Sequence, residues 1–388
     1  MSNPFVFGPT KAATNNRYQA LGFKRNPFVP QDDDETEGPF YTKHLTSQVA
    51  MLLEWASESL EKNVPALALK GTIGAGKTRV LRALKHSLMA ARIENKIHVE
   101  HVFLNRAGYS RPNVAGFILG ALETFKPDWS LANCPTCPIT VMPIVWAIAH
   151  SDLPPKSSRL VGIYMTKLQQ SNDKEHNSEV LTRWFRRDSI SASQGRSFGI
   201  IGRLDAEGTH ILILSDLLRV AKECGVLNKL FLFVDQLEDL MRPSYSELRK
   251  SRILEDLRSL IDYIDEGAPI GLILSWSPEI DYGNYVFRMT NVDQILETTY
   301  MAFYSRARRK MVQLDNLGLT HAPEFAEQYA EFAKVDANAS VSVNDIVVHA
   351  WTNLKETGLI SAERATPRDF LKALQDEVDK RAPVATPQ

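Results

Sequence analysis

Residues 71–78 read Gly-Thr-Ile-Gly-Ala-Gly-Lys-Thr, a complete G-x-x-x-x-G-K-[ST] loop. The apolar run Ala66-Leu-Ala-Leu69 precedes it, and Val80, Leu81, Leu84 and Leu88 follow at helical spacing. A strand that turns through glycines into a helix N-terminus leaves backbone N–H groups pointing into the turn, where they cradle phosphate. Lys77 then adds a point charge and Thr78 a hydroxyl for Mg2+. The nucleotide-contacting set is Gly71, Thr72, Gly74, Ala75, Gly76, Lys77, Thr78 and the following Arg79.

Composition narrows the setting. The chain has 388 residues, 44% hydrophobic and 23% charged, enough for a large core in one or two domains. With 45 basic and 46 acidic residues the net charge is −1, so no global field draws it onto nucleic acid; DNA contact has to come from a local patch or loops lining an assembled ring. No uncharged apolar run reaches membrane-spanning length, and Met1-Ser-Asn-Pro-Phe lacks the order of a signal peptide, so a cytoplasmic protein with no membrane partner is expected. Cys134, Cys137 and Cys224 make no disulfide framework. Cys134-Pro-Thr-Cys137 fits half a zinc site, a redox pair or two idle thiols, and the scatter of further ligands (His101, His150, Cys224) favours the last.

Read along its length, the sequence divides into a polar, Pro-rich lead-in (1–44), a nucleotide-binding core (45–314) and a helical lid (315–388). The lead-in carries the acidic run Asp32-Asp-Asp-Glu35 and a compact apolar patch at 22–28. In the core, helices are expected over 45–61, 78–91, 210–224 and 245–264, and strands over 66–69, 97–104, 230–234 and 270–277. Strands that alternate with helices predict a parallel sheet covered on both faces. The strand over 97–104 alternates imperfectly, because His98, Glu100 and His101 interrupt Val99, Val102 and Phe103. From about 105 to 208 the pattern loosens into a Pro-rich insertion with helical pieces at 114–125 and 180–187, and insertions of that length commonly carry partner specificity. Further helices are expected over 322–332, after a Ser342 cap, and after Thr366-Pro367.

The apolar run over 230–234 ends in Asp235, which delivers a carboxylate for Mg2+ to the sheet edge. A hydrolytic ATPase commonly follows this aspartate with the carboxylate that polarises water; here Gln236 occupies that place in Asp235-Gln-Leu-Glu-Asp239. Two readings stay open. Glu238 or Asp239 takes the role from the turn, or hydrolysis is slow and the chain is a nucleotide-dependent switch. Ser275 and Ser277 end the next strand where a γ-phosphate sensor is expected, although a serine at a sheet edge needs no such role.

Together, residues 71–78, 231–239 and 272–277, Ser305-Arg306 and Thr366-Pro-Arg368 resemble an AAA+ ATPase, nearest to the branch of origin-recognition initiators and the ATPases of bacterial transposition and phage-defence systems. Residues 184–238 are similar to ATP-binding proteins of BREX phage-defence loci, 22–28 resembles a lead-in placed near the adenine, and 105–180 has no counterpart. The resemblance implies an α/β P-loop NTPase fold with a C-terminal helical lid, ATP and Mg2+ as ligands, and Thr78 with Asp235 as the metal pair. It implies catalytic roles for Lys77, Asp235 and Glu238, for Arg368 as a sensor of the γ-phosphate, and for Arg306 as a finger completing a neighbour's site in a homo-oligomer. The function implied is a self-assembling ATPase that regulates a partner effector protein in phage defence or DNA transactions.

Ordinary explanations stand beside these. Arg368 can pair with Asp369 or Glu377, and Arg306, Arg308, Arg309 and Lys310 can be a DNA-phosphate patch or a solvated helix end. Arg183-Trp-Phe-Arg-Arg187 can stack on bases, but its aromatics more often face a core. A non-hydrolysing ATP-dependent scaffold, a STAND-type signalling NTPase and a small-molecule kinase are the competing functions.

Overall fold

Two of the strands carry unbroken runs without a polar side chain, Leu230–Val234 and Ile270–Leu274, as strands buried on both faces do. The computed structural model of the chain describes residues 21, 23, 26–28, 41–104, 113–126, 136–204, 207–241, 246–277, 293–333, 342–360 and 363–382. The acidic run after residue 31, residues 22, 24 and 25 of the apolar patch, and Cys134, with it the Cys134/Cys137 pairing, lie outside the described residues. Two compact units divide the chain, one of Ser47–Thr72 with Lys77–Leu314, the other of Met1–Thr46, Ile73–Gly76 and Asp315–Gln388.

The larger unit is built on β1 (Leu67–Lys70), β2 (Ile97–Phe103), β3 (Lys229–Asp235), β4 (Ile270–Trp276) and β5 (Lys310–Gln313). They form one parallel sheet in the order β2-β3-β4-β1-β5. All seven residues of β3 and of β4 are buried. The edge strand β5 buries Val312 and exposes its neighbours Met311 and Gln313. Parallel pairing brings the C-terminal ends to one edge, with Phe103 opposite Asp235, Val234 opposite Leu274 and Lys70 opposite Trp276.

Helices α1 (Thr46–Glu61), α2 (Lys77–Ala90), α3 (Arg92–Asn95), α4 (Val114–Thr124), α5 (Pro143–Ala149), α6 (Leu160–Gln169), α7 (Lys174–Phe185), α8 (Glu207–Glu223), α9 (Glu247–Asp265) and α10 (Asp293–Ala307) accompany this sheet. Trp55 of α1 sits edge-on to Phe231 of β3, ring centroids 6.0 Å apart. The α/β fold expected from the sequence is therefore the observed one.

The described part of the insertion is more ordered than its composition predicts. Helices α4 to α7 share one hydrophobic core with the sheet, running from Phe117 and Ile148 through Trp184 and Phe185 to Leu214, Leu232 and Leu257. The Asn113 side chain caps α4 by accepting the Gly116 N–H, and Asp173 caps α7 through His176 at 3.1 Å. Asp216 of α8 accepts from Arg159 and Arg219, each at 2.7 Å, while Glu223 accepts the N–H groups of Lys156 and Ser157 at 2.8 and 2.9 Å. These bonds fasten the Pro-rich loop before α6 to α8. Helix α5 escapes sequence reading because five of its seven residues are buried, so it shows no amphipathic period, and it opens on a proline.

The smaller unit contains α11 (Ala322–Ala333), α12 (Val343–Glu356), α13 (Pro367–Arg381) and the antiparallel pair β6 (Leu317–Gly318) and β7 (Arg364–Ala365). Its core joins Phe23, Phe28 and Tyr41 to Phe325, Trp351, Phe370 and Leu374. The expected caps form: Ser342 Oγ accepts the Asp345 N–H at 3.4 Å, and Thr366 Oγ1 accepts the Asp369 N–H at 3.1 Å, with Pro367 opening α13. Among the described residues no helix is long and apolar enough to cross a membrane.

Candidate nucleotide site

The larger unit assembles a charged cluster at the sheet edge. Gly71 donates its N–H to Trp276 O at 3.3 Å, which ties the exit of β1 to that of β4. Lys77 opens α2 with a buried side chain, and its Nζ donates to Gly71 O (2.7 Å), Thr72 O (3.2 Å) and Ser277 Oγ (3.0 Å) while lying 3.9 Å from Glu238 Oε1. Ser277 in turn donates to Glu238 Oε1 at 3.2 Å. The next residue of α2, Thr78, donates from Oγ1 to Asp235 Oδ2 at 2.7 Å. The same oxygen lies 3.3 Å from His101 Nε2, and the Gln236 N–H reaches Oδ1 at 2.9 Å.

Asp235 has no exposed surface. Burial pushes its carboxyl up, but hydrogen bonding with His101 and Thr78 and the charge of His101 outweigh it, so the pKa lies below the ordinary value and the group is ionised. Glu238 behaves oppositely. Burial raises its pKa, and the Lys77 charge and the Ser277 hydrogen bond oppose the rise without cancelling it. Two neighbouring carboxylates are thus separated in proton affinity, the pattern by which one stays a fixed anion and the other is poised to exchange a proton.

The Asp-Gln-Leu-Glu turn explains why Glu238, and not residue 236, faces Lys77. Gln236 has φ +61°, in the left-handed region, and a short 3-10 helix, Leu237–Met241, follows at once. That conformation costs a non-glycine residue about 1–3 kcal/mol. It is held by the Gln236 N–H to Asp235 and by the Asp239 N–H to Gln236 O, each at 2.9 Å. Among the described residues, Gln236 Oε1 and Glu238 Oε2 are buried without a hydrogen-bond partner. A hydroxyl, an ionised carboxylate, two further buried oxygens and an ammonium form the hard-donor set that a nucleoside triphosphate with Mg2+ requires, so the residues present fit that ligand.

In the smaller unit the loop tip Ile73–Gly76 meets the start of α13. Gly74 and Gly76 adopt φ +87° and +92°, open only to glycine without strain. The Arg368 N–H donates to Gly74 O at 3.3 Å. A Cβ on Gly74 would lie 2.9 Å from Arg368 Cβ and 3.0 Å from Thr366 Oγ1. Ala75 is buried, while Arg368 itself is exposed.

Arg306 donates from Nε to Asp262 of the same chain at 2.7 Å and from Nη1 to Ala302 O at 3.1 Å. Arg309 pairs with Asp265 and Lys310 with Glu58, while Arg308 lies exposed over the Tyr304 ring, 5.4 Å from its centroid. Trp184 and Phe185 are buried in the core, so stacking on bases is closed to them. The site residue that sequence reasoning missed is His101, whose only signal was a polar residue at an inward position of β2.

A family model described as BREX system ATP-binding protein BrxC/D matches residues 144–382, a span that holds β3, Asp235, Glu238 and α13 and begins after the glycine-rich loop. No curated protein matches the sequence. Similar solved structures include the ORC2 protein of Aeropyrum pernix with ADPNP and ADP, at 13% identity, TM-score 0.42, over 92% of this chain and 72% of that one. The ORC1 protein of Aeropyrum pernix in complex with DNA is 13% identical, TM-score 0.45, over 95% of this chain and 65% of that one. The Walker-type ATPase paby2304 of Pyrococcus abyssi is 14% identical, TM-score 0.39, over 92% and 75%. Likeness this distant adds nothing to the reading of individual residues. The family match covers well over half of the 388 residues, and the chain belongs to the BREX system ATP-binding protein BrxC/D family.

Proposed function

We propose that the chain is an ATP-hydrolysing AAA+ switch that assembles with copies of itself and regulates a partner effector protein in phage defence or DNA transactions. The observation that carries the hydrolytic part is Glu238, a carboxyl of raised proton affinity with a buried, unpartnered Oε2, 3.9 Å from Lys77. In this reading Glu238 takes the proton of a water that attacks the γ-phosphorus, the bond from that phosphorus to the β,γ-bridging oxygen breaks, and ADP and phosphate leave. Lys77 balances phosphate charge, and Thr78 and Asp235 hold Mg2+. The metal, when bound, neutralises charge on the β- and γ-phosphates. Arg368 reports the γ-phosphate, a role supported by the contact of its backbone with the loop carbonyl of Gly74.

Arg306 is the proposed finger. Its pairing with Asp262 is a partly exposed ion pair, Arg306 at 32% and Asp262 at 40% exposure, of a kind worth about 1 kcal/mol or less. Exchange of Asp262 for a neighbour's phosphate is therefore inexpensive. Two measurements test the proposal. Phosphate release that vanishes in Lys77→Ala and Glu238→Gln supports hydrolysis, and an ATP-dependent rise in particle mass with activity lost in Arg306→Ala supports assembly through the finger. ATP binding with no phosphate release refutes hydrolysis and favours the scaffold reading, to which Gln236 at the usual glutamate position lends support. A particle that stays a monomer at full activity refutes the finger.

A further inference from the structure

The interrupted alternation of β2 has a local cause at each polar position. His98 is edge-on to Phe125 at 5.8 Å with its Nε2 3.3 Å from Thr124 Oγ1, and Glu100 is only partly buried. His101 differs, because its side chain is 4% exposed and lies within the site. Its ring stands 4.4 Å from the Phe103 ring and 6.2 Å, edge-on, from that of Phe233, its cross-strand partner. A buried imidazole N–H without a partner costs roughly 1–3 kcal/mol, and apolar residues would fill the same space at no such cost. Here the partner is Asp235 Oδ2 at 3.3 Å, the oxygen that also accepts from Thr78 at 2.7 Å. A carboxylate oxygen has two lone pairs, so these donors saturate Oδ2, and the Gln236 N–H alone is seen on Oδ1.

We infer that His101 is a positioning residue: it donates from Nε2 to Asp235 and, clamped between Phe103 and Phe233, holds that carboxylate in the one orientation that faces Thr78. This rests on the reading of Thr78 and Asp235 as the metal pair, and it extends metal binding to a residue on the neighbouring strand. Groups that orient a metal-binding carboxylate typically change metal affinity by about 10- to 100-fold when removed. An aromatic spacer role for His101 predicts no such effect.

The test compares His101→Phe, which keeps the ring and loses the N–H, with His101→Gln, whose amide N–H has about the reach of Nε2. ATP affinity is measured by calorimetry in EDTA, and Mn2+ affinity of the ATP complex by electron paramagnetic resonance, with Asp235→Asn as reference. Expected are EDTA affinities for ATP within about twofold of wild type in the two His101 variants, Mn2+ binding about tenfold weaker in His101→Phe, and recovery to within about threefold in His101→Gln. Mn2+ binding that is unchanged in His101→Phe but lost in Asp235→Asn overturns the inference and leaves the site standing. Loss in Asp235→Asn absent, or no ATP binding by wild type, overturns the site reading itself. If His101→Phe does not fold, His101→Asn replaces it, since its shorter side chain withdraws the amide from reach. Equal Mn2+ affinity in the Asn and Gln variants then refutes the role.

Discussion

Gly74 and Gly76 share a backbone conformation but not their surroundings, which makes them a matched pair for substitution. At Gly76, φ +92° is strained for alanine, yet an added Cβ meets nothing within 4 Å. Gly76→Ala should therefore cost only the left-handed penalty, about 1–2 kcal/mol. At Gly74, φ +87° carries the same penalty, and the added Cβ falls 2.9 Å from Arg368 Cβ and 3.0 Å from Thr366 Oγ1. Neither atom belongs to a free side-chain end. Arg368 Cβ rides on the α13 backbone, and Thr366 Oγ1 is bonded to the Asp369 N–H at 3.1 Å and to Asp369 Oδ2 at 2.7 Å. Overpacking against fixed atoms costs about 1–3 kcal/mol more, so Gly74→Ala should lose about 2–5 kcal/mol.

The assay is urea unfolding without nucleotide, followed by 19F resonances of 5-fluorotryptophan. Trp351 is the single tryptophan within the ranges of the smaller unit and reports that unit separately from the five within the larger one, Trp55, Trp129, Trp146, Trp184 and Trp276. Gly74→Ala should shift the Trp351 transition clearly further than Gly76→Ala. Equal shifts, or a milder Gly74→Ala, would refute the packing argument.

Two further outcomes follow from buried charge. Burial, with help from the charges of Lys85 and Arg92, lowers the His98 pKa from 6.5 to about 4. The folded state therefore prefers neutral His98, and this contribution is present above pH 6.5 and fades as pH falls toward 4. The loss is about 2 kcal/mol between pH 7 and pH 5, and His98→Gln should remove about that much of the measured pH dependence of unfolding; an unchanged dependence would contradict it. At Asp216, 9% exposed between Arg159 and Arg219, Asp216→Ala should cost about 3 kcal/mol, because Arg219 is only 14% exposed and keeps only long bonds to the carbonyls of Tyr263 and Glu266. Arg159→Ala, at a half-exposed position, should cost under about 1 kcal/mol in the same denaturant titration. Similar losses for the two variants would contradict this ranking.

What could be read in advance was whatever depends on local pattern. The glycine-rich loop, the all-apolar strand before Asp235 and the Thr366-Pro367 start of α13 are rules of a few consecutive residues, and each appears where the pattern puts it. Helices α5 and α6 did not announce themselves, since burial around α5 erases periodicity and exposed Leu160 and Ile163 blur it in α6. The pairing of Glu238 with Lys77 depends on a left-handed Gln236, a conformation that a glutamine does not advertise. His101 could not be assigned from its own strand because its partner stands 134 residues away on the next one.

A magnesium triphosphate in the space framed by Lys77, Thr78 and Asp235 is the ligand on which every proposed role depends. Calorimetric titration of the wild-type chain with ATP and Mg2+ should give saturable heat at one site per chain, abolished in Lys77→Ala and stripped of its metal dependence in Asp235→Asn. No heat from the wild type, or binding that both variants retain unchanged, would contradict it.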